Sequence, residues 1–113
     1  MKNIHTTKKP WGEFTQFSLN EKSTVKTLKV EVSGKLSLQT HKHRSERWYV
    51  LEGNPEITQG ENVFTAAPGQ EIYIELGQKH RISAPTNRVV ILEIAYGEFD
   101  EEDIIRLEDK YNR

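Results

Sequence analysis

The chain contains no cysteine, which excludes both a disulfide framework and a thiolate metal site. Any metal would have to be held by imidazole, carboxylate, amide or water, a ligand set that suits Zn, Mn, Fe, Co or Ni. Long apolar runs are missing as well. Nothing approaches the ~20 residues of a membrane-spanning helix, and Met1 to Lys9 is polar throughout, unlike a secretory leader. The expected compartment is therefore the cytoplasm, with no membrane partner. Nor is there an excess of charge of one sign. The 16 basic and 17 acidic residues leave a net charge of -1, which gives no broad electrostatic footprint for nucleic acid. A local basic patch for a phosphate remains compatible with that balance. Apolar residues make up 35% of the 113, a low share that still suffices for one domain with one small core. No internal repeat or low-complexity tract is present.

What is there is a succession of short segments of period two. Leu28, Val30 and Val32 alternate with Lys29 and Glu31, the pattern of a half-buried strand. Ser33-Gly34-Lys35 is a turn, and strands are expected over Leu36–His43 and Glu46–Glu52. Gly53-Asn54-Pro55 breaks the chain. Further strands fit Glu56–Thr58, Asn62–Ala66, Glu71–Leu76, His80–Ala84 and Arg88–Tyr96. This spacing predicts an all-β sandwich or barrel over residues 1–113. Residues 1–9 are expected to be flexible, with Trp11 in the following Pro10-Trp11-Gly12 break anchoring the chain onto the domain. The tail predicts a short C-terminal helix. Asp100 would cap it, Glu101, Glu102 and Asp103 would face the positive end of its dipole, and Ile104, Leu107 and Tyr111 would share one face.

The chemistry concentrates in two stretches. Residues two apart on a strand face the same side, so Gln39, His41 and His43 share a face, and Glu46 shares one with Trp48 and Val50. If Trp48 and Val50 point into a barrel, Glu46 does too, and a buried carboxylate beside an indole is costly unless paired or metal-bound. A divalent cation held by Gln39, His41 and Glu46 would remove that cost. Gly77 allows a tight turn, after which His80 opens the next strand and can complete the set. Taken singly, each residue has a plainer reading: a surface His-x-His pair, a rim salt bridge between Glu46 and Arg44, an ordinary turn before His80. Their joint spacing favours a metal.

That spacing resembles the two cupin motifs. Gln39-x-His41, four residues, Glu46, six residues and Gly53 match the first if Gln39 replaces its first His. Gly69, five residues, Glu75-x-Gly77, two residues and His80 match the second with Glu75 in place of Pro. The Gln-x-His pair narrows the resemblance to the C-terminal cupin domain of the type II mannose-6-phosphate isomerases, which are bifunctional with mannose-1-phosphate guanylyltransferase. Lys9-Pro-Trp-Gly12, Leu36-Ser-Leu-Gln39, His43-Arg44-x-Glu46-x-Trp48, Gly77-x-Lys-His80-Arg81 and the tail from Glu102 to Tyr111 carry it. Lys42 and Arg47 depart from the family, where His is usual. No Gly-rich nucleotide loop is present, and guanylyltransferase activity is not expected of this chain.

The resemblance implies a cupin double-stranded β-helix, a jelly-roll barrel, with one divalent metal ion, Zn before Mn, Co, Ni or Fe, on Gln39, His41, Glu46 and His80. It implies interconversion of mannose 6-phosphate and fructose 6-phosphate, feeding nucleotide-sugar and polysaccharide synthesis. Such a reaction needs a base to move a proton between neighbouring carbons, and His43 and Glu75 are the candidates. The phosphate needs cations, and Arg44, Lys79 and Arg81 neighbour the ligands. The expected partner is a small sugar phosphate, and a homodimer is compatible with the chain. Two other readings stand beside this one: a non-catalytic, metal-dependent sugar-phosphate-binding cupin, and an isomerase or epimerase of another phosphorylated or nucleotide-linked sugar.

Overall fold

The structure, a computed structural model, describes residues 4–111. Among these there are eleven strands and no helix. A hairpin of β1 (His5–Lys9) and β2 (Gly12–Gln16) forms a sheet of its own. The other strands are β3 (Ser23–Val30), β4 (Leu38–Thr40), β5 (Arg44–Glu52), β6 (Glu56–Gln59), β7 (Asn62–Thr65), β8 (Glu71–Ile74), β9 (His80–Ser83), β10 (Val89–Gly97) and β11 (Ile105–Glu108). They make two further sheets, ordered β3-β10-β5-β8 and β11-β4-β9-β6-β7, with every pairing antiparallel.

The period-two pattern decides what lies between the sheets. On β5, Trp48 and Val50 are fully buried, and on β10 so are Val89 and Ile91; Ile57 of β6 and Ile82 of β9 meet them from the opposite sheet. The register pairs Ile91 with Val50 and Ile57 with Ile82, so like faces meet across each ladder. Each such side chain contributes about 1.5–3 kcal/mol by leaving water. The alternation also sorts the polar residues. Arg44 and Glu46 share the inward parity of Trp48, whereas Ser45, Arg47 and Tyr49 take the outer face of the sheet.

Two expectations need correction. The C-terminal helix does not form. Asp100 does act as a local cap, its Oδ1 accepting from Glu102 N at 2.9 Å and its carbonyl from Asp103 N at 3.0 Å. The chain then extends instead, and β11 pairs with β4, Ile105 opposite Thr40 and Arg106 opposite Gln39. A short isolated helix is marginal in water, while the free edge of β4 offers unpaired backbone groups. The second correction concerns Trp11, which anchors nothing: it sits at the hairpin turn, 72% exposed. Contacts that do tie this end of the chain down include the Phe17 ring, which meets Tyr49 edge-on, and the Phe17 carbonyl, which accepts from Tyr96 Oη at 2.8 Å. Of the segment expected to be flexible, His5–Lys9 forms β1, and Met1 to Asn3 lie outside the described residues.

Candidate metal centre

His41, Glu46 and His80 converge inside the barrel, each 2–3% exposed, with one ligand atom from each lying within 4.8 Å of the others. Glu46 comes from β5, His80 from the start of β9, and His41 from the residue just past β4. His41 Nε2 lies 3.4 Å from Glu46 Oε2, and His80 Nε2 lies 3.9 Å from Glu46 Oε1. Two ligands bound to one zinc ion lie roughly 3–3.5 Å apart, so modest closure around an ion satisfies all three.

Hydrogen bonds orient both rings. His41 Nδ1 meets the Asp103 carbonyl at 2.6 Å, and His80 Nδ1 meets the Gln78 carbonyl at 2.9 Å. A carbonyl only accepts, so each Nδ1 donates, and in the neutral ring Nε2 then keeps its lone pair turned to the cluster. Burial holds the His80 pKa below the ordinary value, against the pull of Glu46. His80 Nε2 has no hydrogen-bond partner although it is buried, and an unpaired buried acceptor is expensive. A metal ion would satisfy it, so the donor set fits one. Burial works against the charged form of Glu46. Hydrogen bonds from Trp48 Nε1 at 3.0 Å and Arg44 Nε at 3.1 Å work the other way, and the carboxyl lies below its usual range.

Gln39 stands on β4 directly opposite His80 of β9, and its Oε1 accepts from Ser37 Oγ at 2.8 Å. The other residues singled out from the sequence are placed apart. His43 and Glu75 are exposed and meet at a cavity of about 600 Å³ that Ser45, Tyr73 and Tyr96 also line. Ser45 takes the outer parity of β5 and pairs with Tyr96, so this cavity lies on the outer face of the sheet. The expectation that His43 shares the face of Gln39 and His41 fails because β4 ends at Thr40 and the Asp103 carboxylate bends the chain, accepting from the amides of Lys42 and His43 at 2.9 Å each. Lys79 pairs with Glu61 at the surface. Arg81 takes the opposite parity to His80, its guanidinium donating to the Leu36 carbonyl at 2.9 Å and to Glu108 at 3.0 Å. Arg44, in contrast, is inside.

Three site residues escape the sequence reading. Asp103 orients His41 and bends the chain beside it. Asp100 supplies a carbonyl to Arg44 Nη1 at 3.1 Å. Glu93, on β10 opposite Trp48, is a buried carboxyl beside Glu46, where burial and the Glu46 charge push its pKa up to about 7. Parity is a usable signal for Glu93, which shares the inward face with Ile91 and Ala95. Asp103 gave none, because its partners lie some 60 residues away.

Comparison with known proteins follows this geometry. The family model described as Mannose-6-phosphate isomerase C-terminal matches residues 1–109. The xanthan biosynthesis protein XanB of Xanthomonas campestris pv. campestris is 37% identical over 107 residues, 93% of this chain but 23% of that protein. The alginate biosynthesis protein AlgA of Pseudomonas aeruginosa is 35% identical, and the mannose-1-phosphate guanylyltransferase ManC of Salmonella typhimurium 33%, each with 93% of this chain and 22% of the relative covered. The chain thus spans less than a quarter of the length of these relatives. Among solved structures, an RmlC-like cupin from Shewanella frigidimarina superposes with a TM-score of 0.66 at 13% identity, covering 80% of this chain and 76% of that one. A double-stranded β-helix protein from Klebsiella pneumoniae gives 0.68 at 18% identity, covering 80% and 78%. These structural likenesses establish the cupin fold.

Proposed function

The chain belongs to the mannose-6-phosphate isomerase C-terminal family, and we propose on that premise that it is a metal-dependent aldose–ketose isomerase acting on mannose 6-phosphate and fructose 6-phosphate. The observation that carries the reading is the buried His41–Glu46–His80 cluster with an unpartnered ring nitrogen. Gln39 is the proposed fourth ligand, from its place opposite His80. A divalent ion held there would stabilise negative charge on the oxygens of two neighbouring sugar carbons as a proton leaves the carbon next to the carbonyl.

The chain's own residues prepare that chemistry. Asp103 O and Gln78 O hold the two imidazoles in the tautomer that presents Nε2. Trp48 and Arg44 keep Glu46 ionised. Inside the barrel the proposed proton carrier is Glu93, beside Glu46, whereas His43 and Glu75 line the outer cavity. A second reading, a sugar-phosphate-binding module without turnover, is favoured by the placement of His43 and Glu75 on the outer face. The likeness to relatives named for alginate and xanthan biosynthesis supports a place in polysaccharide biosynthesis, and the cytoplasm is the proposed compartment.

The test is a coupled assay of mannose 6-phosphate turnover by chelator-treated chain refilled with Zn²⁺, Mn²⁺, Co²⁺ or Ni²⁺ in turn. Turnover with at least one ion, abolished by chelation and by His41→Ala, is the expected result. Tight binding of the sugar phosphate without turnover under any ion would establish the binding module instead.

A further inference from the structure

Arg44 lies where a metal would act. Its Nε donates to Glu46 Oε2 at 3.1 Å and its Nη2 to His41 Nε2 at 3.2 Å. These acceptors belong to two of the three residues that form the cluster. Nη1 donates to the Asp100 carbonyl at 3.1 Å, and the guanidinium carbon stands 4.2 Å from the Phe99 ring centroid. Arg44 is 7% exposed, so this is an enclosed cation and no surface charge that happens to lie nearby.

The two acceptors differ in what they can share. Glu46 Oε2 has more than one lone pair and can serve Arg44 and an ion together. His41 Nε2 has one. Since His41 Nδ1 holds the proton bonded to Asp103 O, the Nε2 pair accepts from Arg44 or binds a metal, never both. Two cations at that distance also repel inside a site of low dielectric. We propose that Arg44 is the resident cation of the metal-free barrel, and that metal binding and the Arg44–His41 hydrogen bond are mutually exclusive. Arg44 thereby sets the metal affinity: it keeps His41 and Glu46 satisfied and in place while no ion is present, and each ion that enters must displace its Nη2. His80 Nε2, outside Arg44's reach in this arrangement, is the ligand that stands ready. The inference rests on the metal reading above.

Calorimetric titration of chelator-treated protein with Zn²⁺ tests both and tells them apart. Arg44→Met keeps the bulk of the side chain and removes the competitor, so it should bind Zn²⁺ about tenfold more tightly than the wild type. Equal or weaker binding by the variant overturns the inference and leaves the metal site standing. Absence of binding by both proteins overturns the metal reading and the inference with it. A second readout needs no substitution and decides the matter if the variant does not fold. In wild-type protein the Arg44 side-chain N–H resonances, protected by hydrogen bonds while the site is metal-free, should shift in proportion to Zn²⁺ occupancy. Unchanged Arg44 resonances at full occupancy overturn the proposal.

Discussion

Glu93 is a carboxyl group that the fold encloses without a full set of partners. It is 5% exposed, Lys26 Nζ approaches its Oε2 no closer than 3.7 Å, and that oxygen has no hydrogen-bond partner. Its folded pKa is raised from 4.5 to about 7, by burial first and the Glu46 charge second. The folded state therefore holds a proton that the unfolded chain releases. The stability linked to it is fully present below pH 4.5 and is lost as pH rises through about 7. A shift of this size corresponds to about 3 kcal/mol at most. In the metal-free protein, Glu93→Gln should flatten that dependence, so the variant gains on the wild type in thermal melts between about pH 5 and about pH 8. A stability difference that does not change with pH would show that Glu93 is not enclosed as a neutral acid. His80 separates binding from stability in a complementary way. His80→Phe keeps a ring against Trp48, loses the bond to Gln78, and removes an unpaired nitrogen. These changes oppose each other, so the melting point of the metal-free protein should move little, within about 1 kcal/mol, while elemental analysis finds no retained metal. Retention of metal would exclude His80 as a ligand.

Among the elements, the legible ones are those whose period is two throughout. The alternation of Trp48, Val50 and Glu46 on β5 placed the carboxylate inside, and the same parity extended to Arg44 and, on β10, to Glu93. It was not legible that β4 stops at Thr40. Beyond that point the direction of His43 depends on Asp103, a contact that no local pattern announces. The tail departs from its helical pattern for a related reason. Asp100 followed by acidic residues and a spacing of three and four suits a helix, but that pattern takes no account of the unpaired edge of β4. Two predictions belong here. Asp103→Ala removes the acceptor of two backbone amides, so it should cost about 1–3 kcal/mol in a denaturant melt. It should weaken metal binding as well, because the bend orients His41; full affinity in the folded variant would separate the bend from the site. Gly53 closes the first motif at φ +81°, and a Cβ there would stand 2.1 Å from the Arg88 carbonyl oxygen. Gly53→Ala must move backbone on both sides, and should destabilise the fold by more than about 1 kcal/mol; an unchanged melting curve would contradict the turn as described.

At the scale of the whole molecule, the metal centre and the N-terminal hairpin are separable. His41, Glu46 and His80 are carried by the two larger sheets and the connection just past β4, and the strands beside them pair with β6, β8, β10 and β11. β1 and β2 pair with each other in a sheet apart, with their own cross-strand contacts, Thr6 to Thr15 and Lys8 to Glu13. A two-stranded hairpin contributes little independent stability in water. Phe17 is attached to the barrel through Tyr49 and Tyr96 on the outer face, and a cut before Phe17 preserves these contacts. A chain beginning at Phe17 should fold to the same barrel and bind Zn²⁺ with an affinity within about threefold of the full chain, as expected for distant sites without shared partners. The effect should appear instead at the outer cavity, which loses the wall contributed by Ile4; exchange protection there should fall while that of β5 and β9 is kept. Loss of metal binding by a folded truncated chain would mean that the hairpin supports the centre through contacts reaching across the sheet, and would join the outer cavity and the metal centre into one site.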